Sequence, residues 1–486
     1  MNQTDIQGRD TAWREDLRKA MTAKERAEIP RVEMPMLDGD YRVTCNEEVN
    51  QGLSLEQAKL EATRCLDCPN PTCVEGCPVG IHIPDFIKNI QRGDLHAAAA
   101  VLKSTSALPA VCGRVCPQEK QCESRCIYNK MKKAPVAIGY LERFAADAEI
   151  ARGESIEAPE IASNGIRVAV AGSGPAGLSF AGEMARRGFE VDVFEALHEV
   201  GGVLKYGIPE FRLPNSIVDA ELDSLRRAGV RFHTDTVIGK TLSYDDLLNQ
   251  GFKGIFVASG AGLPRFMNIP GENYCGVLSS NEYLTRINLM GAGRPGNDTP
   301  APMGKRVAVI GGGNTAMDSV RTARRMGADR AMIVYRRSEE EMPARVEEVK
   351  HAKEEGVEFL TLNNPVEYLA DDQGRVRAMR LQRMELGEPD ESGRRSPVPI
   401  EGAIDEIEVD MVIVSVGVSP NPLIPSSIEG LEVSRRGTIV VSEESMRSSM
   451  PDLYAGGDIV RGGATVILAM GDGRRAAAGM ASALVQ

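Results

Sequence analysis

Arg167-Val-Ala-Val-Ala171 runs directly into Gly172-Ser-Gly174-Pro175-Ala176-Gly177, then into an alanine-rich stretch ending at Gly188. A second apolar run, Glu190-Val-Asp-Val-Phe194, ends in Glu195. The first run is short and wholly apolar after its arginine, as a strand buried on both faces is. The three glycines permit a tight turn and close approach of backbone to a pyrophosphate, whose charge the N-terminus of the next helix favours. Glu195 lies 18 residues past Gly177, where a carboxylate can accept hydrogen bonds from an adenosine ribose. A glycine pattern alone is weak. Strand, turn, helix, strand and acid in this order predict a dinucleotide-binding domain.

The unit recurs. Lys305-Arg-Val-Ala-Val-Ile310 leads into Gly311-Gly-Gly313-Asn314-Thr315-Ala316, with alanine in the third glycine place, and Ala331-Met-Ile-Val-Tyr335 follows a helical stretch. Here the acid is missing and the strand ends in Tyr335-Arg336-Arg337-Ser338. A carboxylate would repel a 2′-phosphate, whereas paired guanidiniums bind one. The second unit therefore reads as an NADP(H) site and the first as the adenine end of an FAD site. Arg345 is a candidate third contact, and a solvated basic patch is the plainer alternative for Arg336 and Arg337. Two strand–glycine stretches, Ile255 to Gly260 and Met411 to Gly417, flank the second unit and mark where the chain crosses between domains. Near the end, Tyr454-Ala-Gly-Gly457-Asp458 precedes Gly463-Ala-Thr465-Val466 and a helix of small residues. Asp458 suits a flavin ribityl hydroxyl, and the amides of Thr465 and Val466 at a helix start suit negative charge on flavin. The expected architecture is α/β, with two Rossmann-like domains, the second inserted in the first: FAD-binding 161–295 and 418–486, NADP(H)-binding 296–417.

Upstream the texture differs. Cys65-Leu-Asp-Cys68-Pro-Asn-Pro-Thr-Cys73-Val-Glu-Gly-Cys77-Pro78 is followed by Cys112-Gly-Arg-Val-Cys116-Pro117, Cys122 and Cys126, so eight of ten cysteines lie between 65 and 126. Cys-x-x-Cys with later Cys-Pro is the layout of ferredoxin-type iron–sulfur segments. Zinc would favour two Cys-x-x-Cys pairs without Cys-Pro, and disulfides need an oxidising compartment that the charged amino terminus does not suggest. Two iron–sulfur clusters are expected, and the spacing leaves open which thiol serves which. Residues 10–30 read as a surface helix, packed on its own domain or on a partner, that stops at Pro30. Ser54 with Gln57 is a capping-box pattern, and Pro84–Ile90, Leu95–Leu102 and Ala134–Ile150 read as further helices. Residues 1–160 are thus expected to be an all-α domain whose thin core is supplemented by cluster ligation.

At 486 residues the chain has room for about three domains. A net charge of −12 without a basic stripe argues against nucleic-acid binding. No apolar run approaches the roughly 20 residues of a membrane span, so a cytoplasmic protein is expected. None of the five histidines stands at metal-ligand spacing, and none is given a catalytic role.

These residues together resemble the small (beta) subunit family of NADPH-dependent glutamate synthase. Its relatives include the amino-terminal part of dihydropyrimidine dehydrogenase and the large subunit of the electron-bifurcating NADH-dependent ferredoxin:NADP⁺ oxidoreductase. The resemblance runs from about Ser54 to Ala477. It is most specific at Leu108–Pro117, Gly201-Gly202-Val-Leu204-Lys-Tyr-Gly-Ile-Pro209, Gly311–Asp318 and Ala464–Gly473. It implies two [4Fe–4S] clusters, one on Cys65, Cys68, Cys73 and Cys126, the other on Cys77, Cys116, Cys122 and Glu142, which leaves Cys112 over. Without it, Glu142 would read as a surface partner of Arg143. Gly202, Leu204, Gly260 and Gly457 join the cofactor-binding positions on the same ground. The implied activity is transfer of electrons from NADPH through FAD and the clusters to a second flavin-containing subunit. That subunit is either the glutamate synthase large subunit, making glutamate from glutamine and 2-oxoglutarate, or the small flavin subunit of a bifurcating complex, with ferredoxin a further acceptor. The wording of Leu284–Met290 and Leu386–Arg394 leans to the bifurcating branch. No glutaminase nucleophile is found, so the chain would not make glutamate alone, and two intact nucleotide sites argue against a module that merely holds clusters.

Overall fold

The computed structural model describes residues 8–153, 161–391 and 393–485. The boundary expected at 160 falls in 154–160, and Ser392 in the segment Leu386–Arg394; both lie outside the described residues.

The amino-terminal part is helical. The single helix expected over 10–30 is two, Ala12–Ala20 and Ala23–Glu28, because Thr22 and Glu25 cap each other's backbone amides and start a new helix. The first of them lies on the surface, packed on its own domain. Arg14 is buried, bonded to Asp67 and Asp85, and Arg18 reaches Asp67 Oδ2 at 2.5 Å, so the first helix covers the Cys65–Cys68 loop. The Ser54/Gln57 box opens Leu55–Arg64, followed by Ile83–Arg92, Leu95–Lys103, Pro109–Val115 and Ile138–Arg152. The last two cross backbone against backbone, since a Cβ on Gly113 would lie 2.5 Å from Arg143 N. That crossing brings the Cys112–Cys116 turn to Glu142.

The chain then enters β1 (Arg167–Ala171), β2 (Glu190–Phe194), β3 (Arg231–His233) and β4 (Gly254–Val257), and crosses by β5 (Leu263–Pro264). It builds β6 (Val277–Ser279), β7 (Arg306–Ile310), β8 (Arg330–Tyr335) and β9 (Glu358–Thr361), and goes on through β10 (Asn363–Ala370), β11 (Val376–Pro389) and β12 (Arg395–Glu408). After β13 (Met411–Val414) it returns by β14 (Val418–Ser419) to β15 (Leu453–Ala455). Two parallel five-stranded sheets result, in the orders β15-β4-β1-β2-β3 and β6-β13-β7-β8-β9, joined by the antiparallel β5–β14 ribbon. The second unit is inserted in the first, but not from 296. Val277 pairs with Val412, so β6 already belongs to the second sheet and the crossing lies at 263–264 and 418–419. A three-residue strand leaves too little pattern to read.

Two further differences matter. The antiparallel meander β10-β11-β12 was not foreseen; alternate residues of β11, among them Met379 and Leu381, pack beneath the second sheet with Ala308 and Met332. And the helical domain does not rest on a thin core of its own. Val111, Cys112 and Leu141 share one core with Val168, Phe180 and Met470 of the first sheet unit.

At the edge of the first sheet, Asp192 in β2 accepts bonds from Arg231 (2.9 and 2.8 Å) and His233 (2.8 Å). Burial works against its charge, yet these partners bring the carboxyl down to about 2. Its contribution is therefore present above the unfolded value near 4 and lost as pH falls towards about 2. Asp192→Asn is expected to cost about 1–2 kcal/mol near neutrality, since both partners are half exposed, and progressively less in urea melts run from about pH 5 down to about pH 3.

Candidate functional site

A cavity of about 1030 Å³ lies where the three parts meet. Gly172, Gly174, Pro175, Ala176, Glu195, Gly202, Gly260, Gly457, Asp458, Thr465 and Val466 line it from the first sheet unit, and Asn314 and Thr315 from the second. Val115 and Pro117 of the helical part complete the wall. Gly177 stands behind it, where a Cβ would lie 2.1 Å from Gly172 O, so only hydrogen fits. Gly202 has φ +55° and a Cβ there would press on Gly174 Cα at 2.9 Å; the two glycine turns touch. Leu204 is fully buried in the core and does not line the cavity.

Glu195 is fixed in place. One carboxylate oxygen accepts from the Ser173 amide (2.9 Å) and hydroxyl, the other from Leu197 N at 3.0 Å, and Ser173 Oγ accepts from Gly201 N at 2.9 Å. Burial pushes the Asp458 carboxyl up to about 6. Its loop hangs on a residue the sequence reading missed. Asp472, wholly buried in the final helix Val466–Leu484, accepts from Gly457 N (3.0 Å) and from Arg461 Nε and Nη2 (both 2.6 Å). The signal was present: an acid amid the small residues of Ala464–Gly473.

In the second unit, Gly311 has φ +139° and a Cβ there would meet Ser415 O at 2.3 Å, while Gly313 precedes the helix Asn314–Arg325. The three arginines separate. Arg336 is exposed and, among the described residues, its guanidinium bonds to nothing. Arg337 is buried, donating to Arg395 O (2.8 Å) and Asp390 Oδ2 (2.6 Å) of the β11–β12 hairpin. Arg345 is buried too, donating to Arg114 O (2.7 Å) and Gln118 Oε1 (3.0 Å) of the helical part. Of the expected arginine pair and third contact, Arg336 is the one without a protein partner among the described residues; the β11–β12 hairpin and a domain contact hold the other two.

The charges that act on each thiol come from both runs. Burial raises the Cys68 thiol to about 11 and Cys73 further, and for both the next causes are the charges of Cys65 and Cys126. Burial likewise raises Cys77 to about 11, with Glu142 and Cys116 adding, and Cys122 is raised by burial, Glu123, Glu142, Cys77 and Cys116 in turn. Thiols whose deprotonation is opposed by burial and by one another are groups that cationic iron would hold as thiolates. Among the described residues, no three such side chains converge on one ion position; cluster ligands each hold a separate iron. All ten cysteines are free. Glu142 is buried with Oε1 unpartnered, and burial, then Glu221, pushes its carboxyl up to about 8. A buried carboxylate without a partner is costly, and a metal ligand role answers that cost. The surface pair with Arg143 does not occur; Arg143 binds Glu48 (3.0 Å) and Asp147 (3.2 Å). Cys112 lies in the same pocket, wholly buried, its sulfur 3.5 Å from Met470 Sδ.

The final helix joins cavity and thiols. It starts at the cavity wall, and a Cβ on its Gly471 would lie 2.9 Å from Pro78 O, directly after Cys77. Arg474 then donates to Val79 O (2.7 Å) and Thr105 O (2.5 Å). A buried ion network holds the second unit to the others: Arg212 to Asp318 (2.8 Å) and Glu348 (3.2 Å), Arg321 to Glu348 and to Glu355 (2.7 Å), and Arg42 to Glu355 (3.0 Å). Arg212 and Asp318 also line the cavity.

Residues 42–154 match the family described as dihydropyrimidine dehydrogenase domain II, 4Fe-4S cluster, and residues 166–473 match the pyridine nucleotide-disulphide oxidoreductases. The chain is 37% identical to the glutamate synthase [NADPH] small chain of Escherichia coli strain K12, over 89% of this chain and 93% of that one. It is also 37% identical to the NADP(+)-dependent formate dehydrogenase subunit beta of Moorella thermoacetica, over 83% of this chain and 59% of that longer one. Mycobacterium tuberculosis FprA in complex with NADPH shares the fold, with a TM-score of 0.56 at 21% identity over 66% of this chain and 85% of that one. These matches support FAD, NADP and 4Fe-4S clusters as cofactors, and the donor sets above fit them. With an iron–sulfur domain ahead of a nucleotide-binding oxidoreductase unit, and this identity over nearly its whole length, the chain belongs to the family of the glutamate synthase [NADPH] small chain.

Proposed function

We propose that the chain oxidises NADPH and delivers its electrons, through FAD and two [4Fe–4S] clusters, to a partner subunit that makes glutamate from glutamine and 2-oxoglutarate. The observation that carries this reading is the final helix, which begins on the cavity wall and packs on Pro78 beside the second thiol group. When bound, FAD supplies the step from a two-electron hydride donor to single-electron carriers. The chain's residues do the rest. The two glycine turns admit pyrophosphates, Glu195 is preset to accept ribose hydroxyls, and Asp472 holds the Gly457–Asp458 loop. Cys65, Cys68, Cys73 and Cys126 would hold one cluster; Cys77, Cys116, Cys122 and Glu142 the other. No helix of the described residues is long and apolar enough to cross a membrane, which agrees with a cytoplasmic site of action.

Arg336 would contact the 2′-phosphate. Arg336→Ala is expected to lower the preference for NADPH over NADH by about tenfold or more, the worth of one charge-assisted contact. Unchanged selectivity in steady-state kinetics refutes the role.

Equal identity to a formate dehydrogenase beta subunit favours a second reading in which the same module serves a different partner. The case considered is the large subunit of an electron-bifurcating NADH-dependent ferredoxin:NADP⁺ oxidoreductase. Isolation of the native complex decides. A large FMN-containing subunit making glutamate supports the first reading, and a small flavin subunit with its own NAD(H) site replaces it with the second.

A further inference from the structure

Among the described residues, two buried cations of the helical part bond only to neutral oxygens. Lys88, in the helix Ile83–Arg92, is wholly buried, and its ammonium donates to Cys65 O at 2.5 Å and Gln91 Oε1 at 2.8 Å. Arg26, 2% exposed in the helix Ala23–Glu28, donates to Thr63 O (2.6 Å), Met21 O (3.2 Å) and Leu17 O. It also reaches the same Gln91 Oε1, at 3.4 Å.

The charges around them are balanced. Arg14 and Arg18 face Asp67 and Asp85, and Arg64 faces Glu61 at 2.5 Å. Lys88 and Arg26 are left as a surplus of positive charge in the interior, and a buried cation without an anion is costly. Burial opposes the charge on each, and the first charge in its favour is that of Cys65. An anion of matching size would answer both. An oxidised four-iron cluster on four thiolates is a dianion, and each electron it accepts adds one more negative charge.

We infer that Lys88 and Arg26 are the buried counter-charge of the cluster held by Cys65, Cys68, Cys73 and Cys126, and that they raise its reduction potential. They are positioning residues, acting through their charge rather than by touching a reacting atom. The step they favour is the arrival of one electron, from NADPH by way of the flavin, with no bond made or broken. The inference rests on reading that thiol set as a cluster site. In an interior of effective dielectric constant about 20, one unit charge about 10 Å away shifts such an equilibrium by roughly tenfold or more.

The test is a potentiometric titration of the cofactor-loaded protein, with both clusters followed by EPR and iron content as the control. Gln91→Glu, a nearly isosteric change, puts a carboxylate at the oxygen that the two cations share. It is expected to lower one cluster midpoint by about 59 mV, the equivalent of a tenfold change for one electron, and to leave the other in place. Lys88→Met and Arg26→Gln, which each remove one positive charge, are expected to do the same. Lys88→Arg keeps the charge and is expected to leave both midpoints unmoved. Loss of one cluster from all three charge-changing variants, with Lys88→Arg fully loaded, is the same dependence at its limit. Midpoints that stay put in a loaded charge variant, or that both move alike, overturn the counter-charge, as does a Lys88→Arg that behaves like Lys88→Met. A wild type whose iron gives no cluster signal on reduction overturns the proposed function instead.

Discussion

Glu142→Ala is expected to cost the protein about half its iron, because the second thiol group would be left with three ligands for a four-iron cluster. The carboxylate is buried 5% exposed, its Oε1 has no partner, and the crossing at Gly113 places it opposite the Cys112–Cys116 turn. Cys112→Ser is expected to leave iron content and the EPR spectrum of the reduced protein unchanged. Its sulfur faces Met470 of the final helix, and it stands beside Cys116 as a neighbour of the cluster. Cys112 is also the one thiol near enough to substitute, so the double variant Glu142→Ala/Cys112→Ser should lose whatever iron the single Glu142 variant retains. Iron analysis and EPR read all three proteins. Loss of a cluster from Cys112→Ser alone, with Glu142→Ala intact, would restore an eight-cysteine scheme.

Arg321→Leu is expected to lower the unfolding free energy by roughly 3–5 kcal/mol, the cost of removing one partner from a buried ion pair. The guanidinium is 1% exposed, bonded to Glu348 and Glu355, and its carbon lies 4.7 Å from the centre of the Phe211 ring. Glu348 would keep Arg212, at the junction of the two sheet units, and Glu355 would keep Arg42 and Arg325. The control is Arg330→Leu at the surface of β8, whose pair with Glu358 at 2.8 Å has both side chains more than two-fifths exposed. There the loss should stay below about 1 kcal/mol. Urea midpoints under anaerobic conditions measure both, and a loss of that surface size at Arg321 would remove the network from the account of domain docking.

The two nucleotide units were legible because their constraints are local. Gly172 to Gly177 and Gly311 to Ala316 must turn within a few residues, and buried parallel strands on either side show as short apolar runs. The capping box at Ser54 and Gln57 is equally local. The helix break at Thr22 has the same signature but was masked by the charged residues on both sides. Hidden features are those whose partners lie far along the chain. Asp390 takes Arg337 across 53 residues, Arg114 takes Arg345 across 231, and Val277 joins a sheet through Val412. No window of sequence contains such pairs.

The sequence by itself determined the chemistry: sulfur ligands in number, two phosphate-binding turns, an acid after one and arginines after the other, and the order of three parts. The resemblance assigns Cys77 and Cys126 to ligand sets that cut across their own runs. Packing, with Arg125 and Thr72 tying the two runs together and the final helix set against Pro78, decides how the two runs lie together and how they meet the cavity. Ligand type is a property of residues. Ligand sets are a property of distances, and backbones brought together at Gly113, Gly471 and Gly76 set those.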